Sequence, residues 1–281
     1  QGLHSRGAMN GFVRSASQHK HLYTHGRHEW TVSNSIESLE HQRLFYERYL
    51  LDRDVHVPVV HLEVRHSLEK YETRNESVFP PESAVKVPLF LDAERGTLTE
   101  ESPAEPATLA YGSESPNDRL IFRHLFSKDT EISGPMALRC YMSIESGFDL
   151  DLFVGIRKLD PRGQEVQFWN RLSRHDIVTR GWLRASRRPD PLSVKDSLTP
   201  LADYDREAPV VCGEIIELNV EILPSSTFFE AGSSMILELR GRDITELPNF
   251  QHHRIFNCGS HTLYTGPDHL SRLLVPMIPR G

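Results

Sequence analysis

The sequence is poor in cysteine, has no basic excess and contains no long apolar run, and each shortage excludes a class. Three cysteines, Cys140, Cys212 and Cys258, occur in 281 residues. They are too few and too scattered for a disulfide framework, and their odd number points to a reducing, cytoplasmic location. Acidic residues outnumber basic ones, 39 to 32, and the net charge is −7. A nucleic-acid partner is therefore not expected, because polyanion-binding surfaces carry a basic excess. No apolar stretch approaches the roughly 20 residues that span a bilayer, so no membrane partner is expected either. The chain opens on Gln1 with no initiator Met and no signal-peptide pattern. It is thus expected to be part of a longer gene product. There is no internal repeat. With 38% hydrophobic and 25% charged residues, the composition is that of a folded chain with a sizeable core.

Residues 35–52 predict the one long helix. Asn34 or Ser35 can cap it, and Glu37 falls in the first turn, where a carboxylate suits the helix dipole. Ile36, Leu39, Phe45 or Tyr46, and Tyr49 or Leu50 recur at helical spacing and predict one buried stripe. Residues 1–33 read as loop, a short strand at Leu22-Tyr23, then loop.

After residue 55 the period changes to two. Met136, Leu138, Cys140, Met142 and Ile144 share one strand face. Leu150, Leu152, Val154 and Ile156 share the next, opposed by Asp149, Asp151 and Arg157. Ile216, Leu218, Val220 and Ile222 form a third, opposed by Glu217, Asn219 and Glu221, and Met235, Leu237 and Leu239 form a fourth. One apolar and one polar face per strand predicts antiparallel sheets packed face to face. Further strands are expected near 59–65, 84–91, 119–125, 163–169, 181–187, 261–265 and 270–276, with exposed excursions at 92–118 and 187–210. The fold class is mostly β, a β-sandwich or jelly roll over residues 56–281. The preceding 1–55 are too short for a core of their own and must pack on the sandwich or on something else.

Four histidines, His19, His21, His25 and His28, crowd the segment 19–30. A jelly-roll metal site of the cupin kind needs His-x-His and then Glu four or five residues on. After His21 the first glutamate is Glu29, too far along, and no Cys/His cluster has zinc spacing. Neither metal nor cofactor is expected. His19, His21, His28, His252 and His253 read as surface or capping residues. His25 stands where a short strand opens into a loop before a helix. A general base of a Ser-acid-His triad occupies such a place, and so does an ordinary structural histidine. No Gly-x-Ser-x-Gly elbow occurs, and residues 1–28 hold no Asp or Glu. If His25 is a base, its nucleophile and acid lie upstream of Gln1. Trp182 is expected to be buried, with Arg180, Arg184, Arg187 and Arg188 solvated. Asp149 and Asp151 are expected at the surface or between domains. Asn75-Glu76-Ser77 is a glycosylation sequon, meaningful only in a secreted protein.

Several tracts in order carry a resemblance. QGLHSRGAMNGF and HLYTHGRHEW are followed by ISGPMALRCYMS, DLDLFVGIRKLDPRGQEV, RGWLRASRR, ILPSSTFFEAGSSMILELRGRD and LLVPMIP. Together they resemble the CocE/NonD hydrolases: the cocaine esterase, X-Pro dipeptidyl-peptidase and α-amino-acid ester hydrolase group. The resemblance implies that residues 1–55 are the end of an α/β-hydrolase domain, a strand-loop-helix remnant, and that 56–281 form the family's C-terminal jelly roll. It implies that His25 is the catalytic base of a serine hydrolase cleaving esters or amides, including X-Pro peptides. The partners implied are a small ester or amide substrate and the missing N-terminal hydrolase region; a homo-oligomer stays open. The elbow, cap and acid are not in this sequence, so this chain alone is expected to be inactive. The alternatives are a non-catalytic jelly-roll module binding carbohydrate or protein through Trp169, Trp182 or Tyr141, and a metal-dependent jelly-roll enzyme.

Overall fold

The computed structural model describes residues 4–170, 174–244 and 251–280, so the first three residues of the QGLHSRG tract lie outside the described residues. Helix α1 (Ser5–Arg14), strand β1 (Leu22–Tyr23), and helices α2 (Glu29–Ser33) and α3 (Ile36–Tyr49) come first. There follow β2 (Val60–Arg65), β3 (Tyr71–Glu76), β4 (Val85–Asp92), β5 (Thr97–Thr99), β6 (Ala107–Gly112), β7 (Leu120–Leu125) and β8 (Thr130–Ile144). The chain continues with β9 (Asp151–Leu159), β10 (Glu165–Val166), β11 (Thr179–Arg184), β12 (Ile216–Phe229), β13 (Ser234–Arg240), β14 (Ser260–Thr265) and β15 (Arg272–Pro279).

Hydrogen bonding runs β12–β11–β9–β13–β7–β5–β4–β15–β8 and returns from β8 to β12, so the sheet closes on itself. No strand of that ring is left at an edge, while β1, β2, β3, β6, β10 and β14 branch from it. The strands β8 and β12 are the longest. A register break between Ile222 and Ser225 bends the pair. Along its length β8 also exchanges partners, from β15 to β14. The four apolar series expected from period-two alternation all point inward and meet in one core with Phe122, Phe168, Phe229 and Leu263. The polar positions opposite them are covered too. Glu238 has no exposure and is held by Arg157 at 2.7 Å. Glu221 lies under α1, where Arg6 reaches it at 2.7 Å.

Three expectations about where the elements lie need correction. The stretch 92–118 is not wholly an excursion, because it contains β5 and β6, and Leu98 and Tyr111 face the core. Residues 1–33 contain two helices, α1 and α2. Met9 and Phe12 of α1 pack with Leu22, Val60, Leu62, Val64 and Phe79 in a small second core. The region near 181–187 is strand only to Arg184 and then turns through a 3-10 helix at Ala185–Arg187.

The first part of the chain joins the sheet edge through β1 and β2. They run parallel, with Leu22 beside Val60 and Tyr23 beside His61. Parallel neighbours need a crossover, which here carries α2 and α3. Ser35 caps α3 by accepting from the Ser38 backbone N–H at 3.2 Å. The buried stripe expected on this helix is not formed. Ser38 is its one buried residue, whereas Ile36 is 84% exposed and Leu39 and Tyr46 are exposed with it, as is Leu50 just beyond the helix. The helix is instead held from its other side by ring contacts of His41 on Tyr23 and of Phe45 and Tyr49 on His21.

Candidate active-site loop at His25

His25 is placed by an extension of the β1–β2 pairing. Beyond Tyr23, the Thr24 N–H donates to the His61 carbonyl at 2.9 Å. The Thr24 hydroxyl accepts the Glu63 N–H at 3.0 Å and donates to the His61 carbonyl at 3.2 Å. On the other side of His25, the Gly26 N–H donates to Glu63 Oε1 at 2.7 Å, and Arg27 Nε donates to Glu63 Oε2 at 2.8 Å. The Arg27 guanidinium also lies 4.3 Å over the Tyr71 ring. The loop is therefore tied down on both flanks of the histidine, and α2 begins immediately after it.

The His25 ring is half-buried, and its Nδ1 lies 3.2 Å from the Arg27 carbonyl oxygen. A carbonyl only accepts, so Nδ1 carries the proton and Nε2 keeps its lone pair. That is the tautomer a general base requires. Burial pushes the His25 pKa below its ordinary value, and the charge of Glu63 works in the opposite direction. At neutral pH the imidazole is uncharged and able to take a proton.

Beneath the loop lies Arg65, wholly buried at the end of β2. Its guanidinium donates to the Val178 carbonyl at 2.9 Å, to Ser225 Oγ at 2.7 Å and to Thr227 Oγ1 at 3.1 Å. It also stacks 4.6 Å over Phe168. Burial pushes its pKa down to about 10. Glu63 and Arg65 went unrecognised from sequence, because charged residues alternating with Val60, Leu62 and Val64 read as the solvent face of a strand. Glu63 is covered by Thr24, Gly26 and Arg27, and Arg65 by Val178, Ser225, Thr227 and Phe168.

The other candidates disperse. His19 meets Tyr49, and His21 bonds the Pro58 carbonyl and the Tyr49 hydroxyl, each at 2.8 Å. His28 lies edge-on to Trp169. His252 bonds Asp243 at 2.8 Å, which raises its pKa, and His253 is exposed. Among the described residues, no three His, Cys, Asp or Glu side chains are placed to hold a metal ion. Among them, too, no helix is long and apolar enough to cross a membrane.

Trp182 is not buried. It is 39% exposed and lines a groove of about 270 Å³ with Tyr204, Arg184 and His252. Position 182 points outward because its neighbours Gly181 and Leu183 occupy the covered face of β11. The nearby arginines are engaged rather than free: Arg184 with Asp151 at 2.8 Å, Arg180 with Asp176, Arg187 with Glu207, and Arg188 with the carbonyls of Ala185 and Ala208. Asp149 and Asp151 are buried, not at the surface, with Ser186 bonding Asp149. Trp169 and Tyr141 are half-buried, the first against Arg174 and the second against Glu217.

Residues 55–274 match the family described as the X-Pro dipeptidyl-peptidase C-terminal non-catalytic domain. The whole fold is similar to that of a CocE/NonD family hydrolase from Staphylococcus aureus. There the TM-score is 0.93 at 35% identity, covering 99% of this chain and 52% of that one. The chain belongs to the CocE/NonD hydrolase family. Two more distant structures share the fold. One is an aminopeptidase from a marine-sediment Thaumarchaeota archaeon, with a TM-score of 0.63 at 15% identity, over 89% of this chain and 44% of that one. The other is an α-amino acid ester hydrolase, with a TM-score of 0.62 at 14% identity, over 84% and 44%. The chain thus spans about half the length of the solved structures it matches. No curated protein matches it.

Proposed function

We propose that this chain is the C-terminal part of a serine hydrolase acting on esters or amides, X-Pro peptides among them, and that His25 is its general base. In this reading residues 1–55 are the end of an α/β-hydrolase domain, and 56–281 are the sandwich that packs beside it. Nucleophile and acid come from the region of the family's length that this chain does not span. The observation that carries the reading is the His25 ring itself. It is half-buried at the end of a parallel strand, with Nδ1–H held by the Arg27 carbonyl and a pKa lowered by burial. The apolar stripe left open on α3 supports it, being a surface of the kind a neighbouring domain covers.

The chemistry follows from the tautomer. His25 Nε2 takes the proton of the serine hydroxyl as the oxygen attacks the acyl carbon, and the ring becomes imidazolium. It then returns the proton to the departing alcohol or amine. Water repeats the cycle on the acyl-enzyme. The carboxylate of the acid joins the Arg27 carbonyl at Nδ1 and steadies the positive ring.

The test uses the whole enzyme. His25→Gln is expected to lower kcat at least about 10³-fold with little change in KM. A fluorophosphonate probe is expected to label a serine outside this chain. A His25→Gln enzyme with normal kcat, or labelling of a serine within this chain, overturns the proposal.

A further inference from the structure

The matched family is described as non-catalytic over residues 55–274, yet Glu63 lies inside that range and is bonded to the loop that carries His25. We infer that Glu63 is a positioning residue for His25, through which the sandwich domain fixes the orientation and supports the charge of the base. This rests on the reading of His25 as the base.

The geometry is specific. The Glu63 carboxylate has no solvent exposure, and its two oxygens divide between the two residues that follow His25: Oε1 takes the Gly26 N–H and Oε2 takes Arg27 Nε. Its own backbone N–H is bonded to Thr24, the residue before His25. One residue of β2 therefore holds both flanks of the histidine. Removing a carboxylate from water is costly unless hydrogen bonds replace the lost solvation. Here those two bonds come from the His25 loop, so loop and carboxylate hold each other in place. Fixing residues 26 and 27 fixes the Arg27 carbonyl, which in turn holds Nδ1–H and the tautomer.

Charge adds to position. His25 turns from neutral to cationic as the serine attacks, and a fixed negative charge near it favours that change. Among the described residues, the charges that act on the ring are Glu63 from β2 and Arg27 from its own loop. Glu63 favours the protonated ring, whereas Arg27 disfavours it.

The experiment has two arms. In this chain, the titration midpoint of the His25 imidazole is followed by NMR, with His25→Gln used for assignment. Glu63→Gln retains an acceptor for the Gly26 N–H but removes the charge. It is expected to lower the midpoint by at least about 0.5 pH unit. Arg27→Gln removes the opposing charge and is expected to raise it; this second variant decides the matter should Glu63→Gln fail to fold. In the whole enzyme, Glu63→Gln is expected to lower kcat about 10- to 100-fold with KM retained. The acid limb of the pH profile should move down with the NMR midpoint. A midpoint unmoved by these variants overturns the inference even if His25→Gln abolishes turnover. A midpoint that moves while His25→Gln leaves turnover intact upholds the positioning and overturns the role of His25 as base.

Discussion

Gly26 lies so close to the buried side chain of Arg65 that a methyl group added to it would stand 1.9 Å from Arg65 Cδ and 2.6 Å from Cγ. Arg65 cannot retreat, because three hydrogen bonds and the Phe168 ring hold its guanidinium. Gly26→Ala is therefore expected to destabilise the chain by about 1–3 kcal/mol, the usual range for overpacking. Arg65→Ala removes the obstacle as well as the buried bonds. The two substitutions should then be non-additive, with the double variant more stable than the sum of the single losses predicts. Urea unfolding of the four proteins checks this, and strict additivity would count against the contact.

The open stripe on α3 makes a different kind of prediction. Leu39→Glu places a charge on a face that solvent already reaches, so in this chain its effect should stay within about 0.5 kcal/mol. In the whole enzyme the same change is expected to cost about 2 kcal/mol or more, because the charge would be buried against the hydrolase region. Thermal unfolding of both proteins separates the cases. An equal, small effect in both would mean that nothing covers the stripe.

That helix also shows where sequence periodicity runs out. The helix and its Ser35 cap form as expected, but Ile36, Leu39, Tyr46 and Leu50, which recur at helical spacing, are exposed, because periodicity gives a shared face and not what covers it. The closed sheet was more legible. Met136 to Ile144 and Leu150 to Ile156 alternate over long strands, and both are buried where alternation puts them. In contrast, β3 has no apolar face to read and exists as the partner of β2. Helix α1 carries Gly7 and Gly11, poor helix formers, and is supported by Met9 and Phe12 packing on β1 and β2. At the candidate site, the place of His25 after a short strand was legible. Glu63 and Arg65 were not, since burial of a strand's charged face depends on residues far away in sequence.

Glu131 joins three distant parts of the chain. Arg74 of β3 donates to both its oxygens at 2.7 and 2.8 Å, Arg280 donates to Oε2 at 3.0 Å, and Ser133 bonds it as well. Burial alone would raise the Glu131 pKa, but these hydrogen bonds outweigh it and hold the carboxyl below the ordinary carboxylate range. Its contribution is thus present above about pH 4.5 and is lost as pH falls through the lowered value. Glu131→Gln should cost about 3 kcal/mol at pH 7. It should also lose less than the parent protein between pH 4.5 and 3. Urea midpoints at the two ends of that window are the measurement. A variant as stable as the parent at pH 7 would mean the cluster adds nothing.

His261 should act in a higher window. The ring is fully buried on β14, with Nδ1 facing the Tyr111 hydroxyl at 3.2 Å and Nε2 without a hydrogen-bond partner among the described residues. Burial pushes its pKa from the ordinary 6.5 down to about 4. Below pH 6.5 the unfolded chain takes up a proton here that the folded chain refuses, so stability falls as pH drops from about 6.5 towards 4. A displacement of that size corresponds to about 3 kcal/mol over the window. His25, His41, His61 and His66 also have lowered values and add to the same slope. His261→Gln removes one titrating group. It is expected to reduce the slope of unfolding free energy against pH by up to about 1.4 kcal/mol per pH unit between 6 and 4.5. The Glu131→Gln protein should keep its slope there. If His261→Gln keeps the parent slope across that interval, the buried ring is not the group that makes the fold acid-sensitive.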